Sequence, residues 1–117
     1  MASFKDLKGF EGIDKLNECV PLIDEIFSDE LFMNNKGTFG ELATPIYKNH
    51  PETVKKLFDI LGEKPESSVS ILAGISKLLL EIINDGEVAS FFMGTSKSLR
   101  STMYAMRNTK EEQSEAS

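Results

Sequence analysis

A chain of 117 residues, 40% of them hydrophobic and with a net charge of −6, is one domain's length of sequence and long enough to close a core without staples. Its single cysteine excludes an intramolecular disulfide framework and fits a reducing compartment such as the cytoplasm. Its acidity argues against DNA or RNA as a ligand, because nucleic-acid affinity comes from Lys and Arg on the phosphates.

In chain order, Lys5, Asp6 and Lys8 interrupt the first apolar residues, so nothing there reads as a signal peptide. Ile13, Leu16, Val20, Ile23, Ile26 and Phe27 recur at three- and four-residue steps and predict an amphipathic helix over 13–27. Pro21 falls inside it, which predicts a kink or break near Cys19–Pro21. Ser28-Asp29 can cap a short turn carrying Leu31, Phe32 and Met33, which the Asn34-Asn35-Lys36-Gly37 cluster ends as a loop. Thr38 and Glu41 fit a capping box for the next helix, with Leu42, Ile46 and Tyr47 as its inward stripe.

Pro51 suits a first helical position, Val54, Leu57, Phe58 and Leu61 follow at helical spacing, and Gly62 is placed for a left-handed C-cap. After a turn at Glu63-Lys64-Pro65, a helix over about 66–84 is apolar on nearly every side. It carries Val69, Ile71, Leu72, Ala73, Ile75, Leu78, Leu79, Leu80, Ile82 and Ile83. Such a helix has to be surrounded by its own chain or by another molecule. Ser70, Gly74, Ser76, Lys77 and Glu81 make it too broken to span a bilayer, so no membrane insertion is expected. Asn84-Asp85-Gly86 interrupts it, and Val88, Phe91, Phe92 and Met93 make a last short helix or turn.

No alternating run of strand length occurs. The expected fold is all-α, a compact bundle of about five helices around the central apolar helix, with the Ile13 and Val54 helices packed on it. The expected domain covers residues 1–93, where nine Lys/Arg face sixteen Asp/Glu. Residues 94–117 are polar and slightly basic and are expected to be a flexible, disordered tail. Within it Leu99, Met103 and Met106 hold the spacing of a helix that forms on binding a groove.

Catalytic side chains do not assemble in this inventory, so no enzyme activity, metal or cofactor is expected. His50, the only histidine, stands at a helix entrance and reads as a cap or a solvated ring. Zinc needs about four ligands, and one His with one distant Cys does not supply them. Cys19 reads as a small, partly buried filler, with Glu18 and Asp24 nearby to disfavour a thiolate. Asp24, Glu25, Asp29 and Glu30 lack the spacing of a calcium loop and read as a solvated face. Gly9 with Gly12, and Gly37 with Gly40, read as loop glycines without a phosphate-binding signature. Phe91, Phe92 and Met93 read first as closing the bottom of the core and second as an apolar patch for a partner; with the stripe Leu99, Met103 and Met106 they are the contact candidates for another protein. Homo-oligomerisation would hide the same residues.

The segments LKGFEGIDKLNECVPLIDEIF, ELATPIYKNHPETVKKLFDILGEKP and SILAGISKLLLEIINDGEVASFF, followed by a polar end, resemble the tail assembly chaperones of long-tailed bacteriophages, especially those of Gram-positive hosts. The resemblance covers most of residues 5–93 and is one of format, since that family has no catalytic motif. It implies a non-enzymatic protein of the host cytoplasm that coats the tape measure protein, keeps it soluble and helps recruit tail-tube subunits, and that is absent from the finished virion. It also implies a longer product made by frameshifting near the gene's end. The rival expectation from charge alone is a small acidic inhibitor or adaptor that blocks a basic surface of a host or phage protein.

Overall fold

The computed structural model describes residues 3–34 and 39–105. The chain is all-α, with no strand among the described residues. A 3-10 turn at Phe4–Asp6 leads into α1 (Gly9–Phe27) and α2 (Leu31–Asn34). A second 3-10 turn at Phe39–Leu42 precedes α3 (Ala43–Asn49), α4 (Pro51–Ile60), α5 (Ser68–Asn84) and α6 (Gly86–Thr95). Residues 97–105 form a further helix, α7.

Local chemistry explains most of these boundaries. Pro51 opens α4, where its missing amide is no loss. The helix closes in a Schellman arrangement: Glu63 N–H donates to the Phe58 carbonyl at 2.9 Å and Gly62 N–H to Asp59 at 3.1 Å. Gly62 takes φ +73°, the left-handed conformation that this cap requires. Ser67 accepts from Ser70 N–H to start α5, and Asp85 accepts from the Glu87 and Val88 amides to start α6. Asp29 does the same for α2 through Leu31 N–H.

Two expectations about α1 are corrected. The helix begins at Gly9, so Gly9 and Gly12 belong to its first turn and not to a loop. Gly9 adopts φ +69°, and a Cβ on Gly12 would stand 2.7 Å from the Leu7 backbone carbon, so the chain before α1 folds tightly back over it. The helix also runs through Pro21 without a break. Pro21 is exposed, and Asn17, whose carbonyl loses its helical partner, is exposed too, so that carbonyl is open to solvent and the cost of the missing bond is small. In the Thr38 capping box, Thr38 lies outside the described residues, as do positions 35–37 of the predicted loop; regular α-helix resumes at Ala43.

Helix α5 packs against α3, the second 3-10 turn and α6, while α1 packs on α4 and touches α6. Its buried face is Ile75, Leu78, Leu79 and Ile82, and Gly74 admits the Phe58 ring, whose tip lies 2.9 Å from where a Cβ would be. The opposite side is only partly covered, with Val69 77% exposed. Glu81 accepts from Ser3 Oγ at 2.7 Å and Phe4 N–H at 2.6 Å, pinning the N-terminal turn to α5 and burying Phe4.

The domain boundary at residue 93 is corrected as well. Residues 94 and 95 complete α6, and α7 packs into the core: Ser96, Leu99 and Thr102 are all buried. The pattern in 94–105 is sparse but lies on one helical face, and its start is capped from outside. Asp24 Oδ1 accepts from Ser96 Oγ at 2.8 Å and Ser98 N–H at 3.0 Å, and Thr102 Oγ1 donates to the Phe27 carbonyl. Arg100 donates to the Met93 and Gly94 carbonyls and so closes α6. The remainder of the predicted tail, residues 106–117, lies outside the described residues.

Candidate functional site

A largely apolar cleft opens where the N-terminal turn, α1 and α6 meet. This cleft of about 370 Å³ is lined by Phe4, Lys5, Leu7, Leu16, Glu87, Val88, Phe91 and Phe92. The fold-back enforced by Gly9 and Gly12 brings Leu7 beside Leu16, and the Asp85 cap directs α6 so that Phe91 forms the opposite wall. Lys5 is the cation in the lining, and its ammonium is 2.9 Å from Asp85 Oδ2. The hydrogen bond and charge of Asp85 push the Lys5 ammonium's pKa up, and Lys5 in turn holds the Asp85 carboxyl below the usual range. Beyond the cleft along α1, Ile13 and Phe10 are 50% and 88% exposed.

Of the sequence-predicted contact residues, Phe91 lines this cleft and is partly exposed. Phe92 is fully buried; its ring meets Phe4 edge-on at 5.0 Å and Phe91 at 4.9 Å, so it closes the core and is corrected as a contact. Leu99 is also fully buried and is corrected likewise. Met93 and Met103 are half-buried against the core, and Met106 lies outside the described residues. The two predicted groups therefore do not form one patch. Sequence periodicity missed Leu7 and Leu16 as the wall of the cleft facing Phe91, and the buried Phe4 as its floor. The one available signal was the pair Gly9 and Gly12 beside an apolar Phe10.

The acidic cluster is solvated only in part: Glu25 and Glu30 are exposed, while Asp24 and Asp29 are half-buried staples, and the expectation of a solvated face is corrected for those two. Asp24 holds α7, as above. Asp29 Oδ2 lies 2.8 Å from His50 Nε2 and accepts from Asn49 Nδ2 at 3.1 Å. Glu25 Oε2 lies 3.3 Å from His50 Nδ1 and accepts from the Thr53 hydroxyl. His50 thus bridges α1 and the α3–α4 junction instead of capping α4 with its ring. The Ser98 N–H, with the Ser96 hydroxyl, holds the Asp24 carboxyl below its ordinary range against the opposing effect of burial. For Asp29, burial pushes upward, but the Leu31 N–H, His50 and Asn49 outweigh it and the net shift is downward.

Groups with depressed folded pKa values stabilise the fold above the unfolded value, about pH 4, and lose that contribution as pH falls through the folded value. Urea unfolding from pH 7 to pH 3 should therefore show stability falling below about pH 4. Asp24→Asn and Asp29→Asn should flatten that fall, and a parent chain that gains stability on acidification would contradict the assignment.

Cys19 is fully buried, and burial, assisted by the Glu18 charge, pushes its thiol up to about 11. Thiol reagents at pH 8 should leave the folded chain unlabelled over the time in which the urea-unfolded chain reacts completely; equal rates would contradict its burial. Among the described residues, no group of three or more His, Cys, Asp or Glu is placed to hold a metal ion, and no helix is long and apolar enough to cross a membrane. No protein family model matches the chain, and no curated protein or solved structure matches it either.

Proposed function

We propose that this chain is a non-enzymatic assembly chaperone that covers apolar helical surface on another polypeptide. Following the resemblance set out from the sequence, that polypeptide is the tape measure protein of a long-tailed bacteriophage, kept soluble in the host cytoplasm while the chaperone helps recruit tail-tube subunits. The observation that carries the reading is the apolar cleft at Phe91 with Phe10 and Ile13 exposed beside it on an otherwise acidic chain. An aggregation-prone amphipathic segment can lay its apolar side chains there while the chaperone's carboxylates keep the pair soluble. Binding of this kind makes and breaks no covalent bond. The rival reading, an acidic blocker of a basic surface, has less support, because Asp24, Glu25 and Asp29 are already engaged within the fold.

The test is co-expression with the tape measure protein of a long-tailed phage of a Gram-positive host. The parent chain should move that product into the soluble fraction, and Phe10→Ser with Ile13→Ser should abolish the effect while leaving the chaperone folded. Undiminished rescue by the double variant, or no rescue by the parent, would contradict the proposal.

A further inference from the structure

Helix α5 is apolar on nearly every side, and its own chain covers only one of them. Val69, Ala73, Ser76 and Leu80 follow one another at steps of four, three and four residues. At about 100° per residue they fall within about 60° of one another. This strip lies away from Ile75, Leu78, Leu79 and Ile82, which face the core. Val69 is 77% and Leu80 43% exposed, Ala73 is exposed and Ser76 is half-buried. The chain's excess acidity lies elsewhere. Within α5 the charged side chains are Lys77 and Glu81, and Glu81 is turned to the N-terminal turn, where it accepts from Ser3 and Phe4. The exposed side of α5 therefore carries no carboxylate.

We infer that this exposed side of α5 docks a second copy of the chain, antiparallel, in a two-fold dimer. The spacing is self-complementary: the register that sets Val69 against the partner's Leu80 also sets Ala73 against the partner's Ser76, because both pairs share one midpoint. Small residues then meet at the centre, where helix axes can approach to about 8 Å, and a leucine meets a valine at each end. The same patch is used twice about the axis, so the contact closes on itself. Elsewhere on so acidic a chain two copies would set carboxylate against carboxylate; here nothing opposes them. The inference goes beyond the chaperone reading and does not rest on it. No residue of the strip lines the cleft at Phe91, so a dimer carries two such clefts. One helix per copy makes a small interface, and the dimer is expected to form at micromolar to submillimolar concentrations.

Sedimentation equilibrium of the full chain between about 10 and 300 µM should show the average mass climbing from that of one chain towards that of two. Ala73→Glu should hold it at one chain, a weakening of at least about tenfold, because it places two unpaired carboxylates at the centre of the contact. Ala73 is exposed in the single copy and glutamate is a good helix former, so helical circular dichroism should be unchanged. Phe10→Ser with Ile13→Ser, on α1, should dimerise as the parent does. Cross-linking reads the register. Val69→Cys and Leu80→Cys chains, mixed in equal amounts under mild oxidation, should join to each other in preference to themselves. Same-site pairs would stand about 16 Å apart along the helix, beyond the reach of a disulfide. Cys19 is buried and takes no part.

A single-chain mass at every concentration, an Ala73→Glu chain that still dimerises, or same-site disulfides outnumbering the mixed one would overturn the inference. So would a dimer that Phe10→Ser with Ile13→Ser dissociates. These measurements need no other protein, so their failure is distinct from a failure of rescue on co-expression, which bears on the chaperone reading alone.

Discussion

Phe92→Ala is expected to lower the unfolding free energy by about 3–5 kcal/mol, the cost of emptying a buried aromatic site. Phe92 is fully buried, and its ring is held between Phe4 and Phe91. Removing it takes away the contact that joins the N-terminal turn to α6 and leaves a cavity at the base of the cleft. Domains of this size have about 5–15 kcal/mol in total, so the variant should be largely unfolded well below the parent's urea midpoint. The matched control is Phe10→Ala, whose side chain is 88% exposed and whose loss should cost less than about 0.5 kcal/mol. Circular dichroism during urea titration reads both. A Phe92 variant within about 1 kcal/mol of the parent would put that ring on the surface, where the sequence alone allowed it to be.

Ending the chain at Met93 should be still more damaging. The cut removes Leu99, whose burial alone corresponds to about 2–5 kcal/mol by the cost of a Leu→Ala change in a core. It also removes the groups that satisfy Asp24 and the Phe27 carbonyl. Both groups would then face water, so the further loss is the net value of each bond, about 1 kcal/mol. The truncated chain should show no cooperative urea transition. Asp24→Ala in the full chain should reproduce part of the loss, about 1–3 kcal/mol, by uncapping α7. Cooperative unfolding of the truncated chain at the parent's midpoint would restore the boundary that composition suggests.

Both predictions concern the stretch where sequence reasoning was least able to see. Helix type and most boundaries were legible because their causes are local: Pro51 and Gly62 delimit α4, and Ser67 and Asp85 start the helices after them. Helix α7 was not legible, because its cap is supplied by Asp24, more than seventy residues away, and its stripe alternates Leu99 with Thr102. A threonine on a buried face carries no hydropathy signal; it is tolerated because Phe27 offers a carbonyl. His50 failed for a similar reason, since its two carboxylate neighbours come from α1 and the turn that follows it. The cleft was half legible. Phe91 stood out in the sequence, but the wall that makes it a groove depends on the close pass of Leu7 over Gly12.

The central claim is that this chain works by receiving apolar side chains of another polypeptide beside Phe91. Amide hydrogen exchange on the chain, alone and in the complex recovered from co-expression with a tape measure protein, is the direct test. Exchange should slow on binding in residues 4–18 and 86–92, with α4 and the first turns of α5 unchanged. Protection centred on α4 and α5, or none in any segment, would contradict it.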